Sequence, residues 1–213
     1  LKNKTNLICE KSRKEVIEKA IKNNFDVIIF DDGLQDRNIN YDLKIVCFDS
    51  ENWIGNGYLI PSGPLREKVD SLKKYDIVFL KGEFFNKEKI INFIKDQNPE
   101  IKVFQTYYEA VNLNKFNVKN DYLIFSGIGS PNNFRNTLMK NNFNVVDEII
   151  FPDHYEYKQE DIEKIKSKAK KLNAKIITTE KDTNNIEFLE VELKIKNERD
   201  LINFINPIIN EKY

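Results

Sequence analysis

At 213 residues the chain has room for one sizeable domain or two small ones, each with its own core. Its 34 basic side chains cancel its 34 acidic ones, which excludes a dedicated nucleic-acid binder, because such a protein needs a basic excess to neutralise phosphates. A composition 40% hydrophobic and 32% charged is that of a folded domain and excludes a disordered one.

Apolar runs and helical periods alternate along the chain. Leu7–Cys9 is a short apolar run. Ser12 suits the N-cap of a helix over 13–23, with Val16, Ile17, Ala20 and Ile21 on one face. Asp26–Phe30 reads as a buried strand, since Val27 to Phe30 are apolar without alternation. Lys44–Phe48 is a second such strand. A short helix near 68–74 precedes a third, Asp76–Leu80. Asn86 is placed to cap a helix over 87–97, striped by Ile90, Ile91 and Ile94, and Lys102–Tyr107 follows as a strand. In the second half Tyr122–Ser126 runs into the turn Gly127-Ile128-Gly129-Ser130-Pro131. A helix over 131–141, an apolar run Val145–Phe151 and a helix over 159–172 come next, the last carrying Ile162, Ile165, Ala169 and Leu172. Strands at Lys175–Thr178 and Val191–Ile195 and a helix over 198–211 complete the chain.

Strands alternating with helices of this length predict an α/β fold with a mainly parallel sheet. The polar stretch 109–120 divides the chain into lobes over 1–108 and 121–213, with 109–120 as a hinge. No apolar run approaches the roughly 20 residues of a membrane-spanning helix. Cys9 and Cys47 sit in strand-like runs and read as reduced core thiols. Five of the 34 cationic side chains are Arg, and among them Arg66 lies in a glycine- and proline-rich loop.

Ligands of open parallel sheets gather at the carboxyl ends of strands. Asp31-Asp32-Gly33 follows the run 27–30 and suits Mg²⁺, which takes one or two carboxylates plus waters and phosphates; the same triplet also reads as a plain turn. Gly55-Asn56-Gly57 and Pro61-Ser62-Gly63-Pro64-Leu65-Arg66-Glu67 form a long loop, either structural or functional. Asp153-His154-Tyr155 holds the single histidine, the one side chain titrating near neutrality, in a catalytic or a structural role. Thr178-Thr179-Glu180-Lys181-Asp182 follows a strand and reads either as ligand-contacting or as a helix cap. No G-x-x-x-x-G-K-[ST] phosphate loop occurs, no G-x-S-x-G elbow occurs, and Gly127-Ile128-Gly129 lacks the third glycine of a dinucleotide fingerprint.

In this order the motifs resemble the tetraacyldisaccharide 4'-kinase family, the lipid A kinases of Gram-negative bacteria. The likeness runs through Asp31-Asp32-Gly33-Leu34-Gln35, Gly55-Asn56-Gly57, Gly63-Pro64-Leu65-Arg66-Glu67, Gly127-Ile128-Gly129 with Pro131 and Phe134, Asp153-His154 and Thr178-Thr179-Glu180-Lys181-Asp182. The resemblance implies a P-loop-NTPase-like α/β/α lobe and a second, smaller α/β lobe. It implies ATP- and Mg²⁺-dependent phosphorylation of the 4'-hydroxyl of a tetraacylated glucosamine disaccharide 1-phosphate, giving lipid IVA. It implies catalytic roles for His154, Asp31 and Asp32, with the two aspartates holding the metal. Gln35, Thr179 and Lys181 are implied for the nucleotide, and Asn56, Arg66 and Glu67 for the acceptor.

Asp36 stands where the family usually has His. The family's phosphate loop and membrane-anchoring helix have no counterpart after Leu1. The chain is therefore expected to be the C-terminal portion of such a kinase, inactive alone. The setting the resemblance implies is the cytoplasmic face of the bacterial inner membrane, with contact through the missing segment. Two alternatives remain at this stage, a non-catalytic α/β binding module and an unrelated Mg²⁺-dependent glycosyl- or nucleotidyl-transferase.

Overall fold

Three of the helices stop in the same way, and the sequence explains it. Asn24, Asn142 and Asn173 have φ of 54°, 63° and 51°, in the left-handed region that Asn tolerates better than most residues. Each ends its helix in a Schellman arrangement. Phe25 N donates to Ala20 O, Phe143 N to Leu138 O and Ala174 N to Ala169 O, at 2.9–3.1 Å. The structure is a computed structural model, and it describes residues 6–82, 87–153, 155–179 and 186–210. The chain divides into two compact units, Leu1–Gln105 with Lys196–Tyr213, and Thr106–Ile195.

The first unit holds α1 (Arg13–Lys22), β1 (Ile45–Asp49), a 3-10 turn (Val69–Lys74), β2 (Ile77–Lys81), α2 (Lys87–Gln97), the start of β3 (Lys102–Ala110) and, after the second unit, a C-terminal helix (Glu198–Asn210). Ser12 caps α1 as its position predicts, its Oγ accepting from Glu15 N at 3.3 Å. β1 and β2 pair in parallel from Ile45 opposite Ile77 to Asp49 opposite Lys81. Ile77, Val78 and Leu80 of β2 are fully buried, and Val78 and Leu80 pack with Leu72, Tyr75, Ile90, Ile94 and Ile101. Burying such side chains contributes about 1.5–3 kcal/mol each. The amide of Asn98 ties the 3-10 turn to this core by donating to Leu72 O and Tyr75 O. Asn86 lies outside the described residues.

The second unit contains the rest of β3, β4 (Asp121–Ser126), α3 (Pro131–Lys140), β5 (Asn144–Ile150), α4 (Gln159–Lys171), β6 (Lys175–Thr178) and β7 (Val191–Ile195); the C-terminal helix is accordingly α5. β7 pairs antiparallel with β3, from Thr106 opposite Ile195 to Ala110 opposite Val191. β5, β4 and β6 form a parallel sheet with β4 in the centre. Strand alternation sends Tyr122 and Ile124 to one face, against Phe134 and Leu138 of α3, and Leu123 and Phe125 to the other, against Ile162 and Ile165 of α4.

Four expectations differ from what is found. Val27 to Phe30 joins no sheet among the described residues, and Ile29 is 90% exposed. Its unbroken apolar run signals a segment suited to cover on both faces, but only one side is partly covered: Ile28 and Phe30 are half-buried, Phe30 against the Tyr41 ring, while Val27 and Ile29 are exposed. α1 buries Ala20 on the predicted stripe, whereas Ile21 is exposed. Cys9 and Cys47 are free thiols at exposed positions rather than in the core. Finally, the stretch 109–120 carries the end of β3 and a 3-10 turn rather than a bare hinge. The chain passes between units at 105/106 and 195/196, so α5 belongs with the first. Among the described residues no helix is long and apolar enough to cross a membrane.

Candidate functional site

In the first unit the carboxylates follow the half-covered segment 27–30, on a tight turn over 31–36. Asp32 has φ 55°, a conformation Asp adopts at some cost and that the surroundings must impose. Three contacts impose it. Arg13 reaches from α1, its Nη2 donating to Asp32 O at 2.7 Å and its Nη1 to Asp36 Oδ2 at 3.3 Å. Tyr41 OH donates to Gly33 O at 2.8 Å. A Cβ on Gly33 would lie 2.9 Å from Phe30 Cβ, so the turn closes only around glycine. The Asn38 backbone N–H and, behind it, Arg13 hold the Asp36 carboxyl below its ordinary range, against the opposing effect of desolvation. Asp36 thus anchors Arg13. The Asp31 carboxylate and Gln35 are exposed on the same turn, while Leu34 packs onto the core.

The loop over 55–66 closes on itself. Asn56 Nδ2 donates to Ser62 O at 2.8 Å and its Oδ1 accepts from Tyr58 N at 3.1 Å. Ile60 N donates to Leu65 O, and Leu65 N to Tyr58 O. The Asn56 amide expected to meet a substrate is therefore engaged by its own loop. Closure carries Arg66 to the Asp32 carboxylate, where Nη1 pairs with Oδ1. Both side chains are more than half exposed, at 55% and 57%. Such a pair is worth about 0–1 kcal/mol, so it is easily exchanged for a ligand. Next in sequence, Glu67 Oε2 accepts from the buried Tyr75 OH at 2.9 Å. Burial, and then Glu67, push the Tyr75 phenol up to about 12.

In the second unit β4 ends at Ser126 and the chain turns through Gly127 to Ser130 into α3, with Pro131 at its first position. A Cβ on Gly127 would lie 2.9 Å from Tyr157 OH, and one on Gly129 3.2 Å from Asp153 Oδ2. The turn therefore lies against the 152–157 segment. Thr178 is fully buried at the end of β6, and the Thr179 hydroxyl behind it is also buried. His154 and Lys181 lie outside the described residues.

The fold thus brings Asp31, Asp32, Gln35, Arg66 and Glu67 into one neighbourhood, while Asn56 is bonded within its own loop. Sequence reasoning missed Arg13, Tyr41 and Tyr75, which shape that neighbourhood. The rarity of Arg was the one signal pointing to Arg13. Two adjacent carboxylates beside an exchangeable cation match what Mg²⁺ with a phosphate requires. No cluster of three or more metal-ligating side chains occurs among the described residues.

Comparison with known proteins identifies the family. The family model described as tetraacyldisaccharide-1-P 4'-kinase matches residues 1–209. The tetraacyldisaccharide 4'-kinase of Pelagibacter ubique is 44% identical over 211 residues, covering 94% of this chain and 66% of that protein. That of Rickettsia akari is 39% identical over 206 residues, covering 92% and 61%. The chain thus spans somewhat less than two thirds of the length of these curated relatives. A crystal structure of LpxK from Aquifex aeolicus in complex with ATP superposes with a TM-score of 0.54 at 22% identity, over 83% of this chain and 56% of that one, and shares the mixed α/β fold with parallel sheets. By its sequence match along almost its whole length, the chain belongs to the tetraacyldisaccharide-1-P 4'-kinase family.

Proposed function

We propose that this chain supplies the larger part of an enzyme that moves the γ-phosphoryl group of ATP to the 4'-hydroxyl of a tetraacylated glucosamine disaccharide 1-phosphate. The observation that carries the reading is the meeting of Asp32 with Arg66, 34 residues apart, on two of the motifs that carry the family resemblance. Phosphoryl transfer depends chiefly on positioning and charge stabilisation. Asp31 and Asp32 would hold Mg²⁺, which neutralises charge on phosphate oxygens. Arg66 leaves its weak pair with Asp32 and takes an anionic oxygen of substrate. The Glu67–Tyr75 bond fixes the base of the loop, so that this exchange moves a side chain and not the backbone. Gln35, Thr179 and Lys181 are assigned to the nucleotide and Glu67 to the acceptor side. His154 accepts the proton of the attacking hydroxyl. The reading sets the enzyme at the cytoplasmic face of the inner membrane, with membrane contact through sequence preceding Leu1.

The test is transfer of label from γ-labelled ATP to tetraacyldisaccharide 1-phosphate by the protein in its whole reading frame. Asp32→Asn keeps a residue that tolerates the left-handed backbone and removes the charge. Turnover is expected to fall by at least about 100-fold, the scale of one lost electrostatic contact in a transition state. Activity within about tenfold of wild type, or label arriving from any other part of the donor, overturns the assignment.

A further inference from the structure

Ser126 ends the central strand of the parallel sheet with its side chain wholly buried and its Oγ without a hydrogen-bond partner among the described residues. Phe125 packs against α4, so alternation turns Ser126 to the other face, toward the start of α3. Thr179 lies one register step beyond the pair Phe125 and Thr178 and shares that face. Its Oγ1 is also buried and unpartnered among the described residues. Buried hydroxyls are almost always satisfied, and two left open side by side point to a group that arrives from outside.

Between them runs the turn into α3. None of the backbone N–H groups of Gly127, Ile128, Gly129 and Ser130 donates to a described backbone acceptor. Ser130, at the N-cap of this ten-residue helix, makes no capping bond with its side chain. Unpaired amides and the positive end of the helix dipole favour an oxyanion here. The charged side chains nearby limit what that oxyanion belongs to. Arg135, in the second turn of α3, is paired with Glu148 at 3.1 Å. Asp153 Oδ2 lies against Gly129 and would repel a bare phosphate dianion, whereas it would accept a hydrogen bond from a hydroxyl.

We propose that this turn is a sugar-phosphate subsite. Phosphate oxygens accept from the Gly127–Ser130 amides and from the Ser126 and Thr179 hydroxyls, while a sugar hydroxyl on the same ligand donates to Asp153. Two sources present that chemistry, the ribose phosphates of a nucleotide and a glycosyl phosphate of the acceptor. The subsite rests on the kinase reading and deepens it by adding Ser126, Asp153 and the Gly127–Ser130 amides to the second unit's substrate contacts. Its test is binding rather than turnover, so either can fail alone.

The full chain, and the variant carrying Ser126→Ala with Thr179→Val, are titrated by calorimetry with ATP, glucosamine 1-phosphate and inorganic phosphate. At least one sugar phosphate is expected to bind the wild type and to lose tenfold or more in the variant, and the probe that loses identifies the source. Asp153→Asn is expected to weaken that probe and leave inorganic phosphate unchanged or tighter. The melting temperature of the double variant should hold or rise, because unpartnered hydroxyls have been removed. A fall of several degrees means that the hydroxyls serve the fold and overturns the proposal. So does an unchanged affinity for both sugar phosphates, or no binding of either by the wild type.

Discussion

Tyr75→Phe removes one hydroxyl from the base of the Arg66 loop and leaves the ring in place. Tyr75 is 9% exposed and donates to Glu67 Oε2 at 2.9 Å. A hydrogen bond to a charged acceptor is worth about 1.5–3 kcal/mol net, which is the loss expected near pH 8. The same contact leaves a mark at alkaline pH. The phenol titrates near 10 in the unfolded chain and at about 12 in the fold, raised by burial and then by Glu67. Folding therefore favours the protonated phenol. This contribution is intact below pH 10 and disappears as pH rises through 12. Linkage gives a loss of about 1.4 kcal/mol by pH 11. Phenylalanine does not titrate, so the stability gap between wild type and Tyr75→Phe should narrow by that amount between pH 8 and pH 11. Urea unfolding of both proteins at one-unit intervals measures it. A gap that stays constant or widens would refute the assigned contact and the direction of the shift.

Gly63→Ala places a Cβ 2.2 Å from Asn56 Oδ1 and 2.4 Å from Tyr58 O; the loop must reopen, at about 1–3 kcal/mol, and acceptor KM should rise more than kcat falls, read in steady-state kinetics. Leu138→Ala empties a fully buried position between α3 and the parallel sheet and should cost about 2–5 kcal/mol in chemical denaturation. Asn142→Val puts a β-branched residue at φ 63° and should cost at least about 1 kcal/mol, whereas Asn142→Gly should be neutral or stabilising; a thermal melt of the two side by side distinguishes backbone conformation from lost side-chain contacts. Arg66→Ala should leave stability within about 1 kcal/mol, as an exposed pair implies, while raising KM for the phosphorylated substrate.

Much of the fold could be read in advance because its signals are local. Tyr122–Ser126 reads as a strand from its apolar residues 122–125 and proves to be the sheet's centre, and the stripe Ile162, Ile165, Ala169 proves to be the buried face of α4. Asn at three helix ends needs only the few residues around it. The misreadings depend on partners far along the chain. Val27 to Phe30 has the composition of a covered strand, but composition does not reveal whether neighbours are there to cover it. Cys47 sits among apolar residues of β1, yet exposure depends on what packs over each face of the strand. The site shows the same division. Asp31, Asp32 and Arg66 were visible as residue types in motifs. Arg13 holding Asp32 from 19 positions away, and the Asn56 amide engaged by its own loop, follow from closure of the chain and have no local sign. Ser126 was invisible for another reason, since a serine at a strand end is ordinary until its hydroxyl is found buried and open.

The pairing of β3 with β7 has a consequence for how this protein can be taken apart. The chain leaves the first unit after Gln105 and re-enters it at Lys196, and Thr106 and Ile195 are directly opposite each other. Lys196 N donates to Gln105 O at 2.8 Å, so the two cut ends of the first unit also touch. The second unit is thus a cassette whose entrance and exit are neighbours. A short linker in place of residues 106–195 would rejoin the first unit with little loop entropy. The excised piece could be circularised, or opened at a new point, by joining its own two ends. Each unit's stability and ligands thereby become separately measurable quantities.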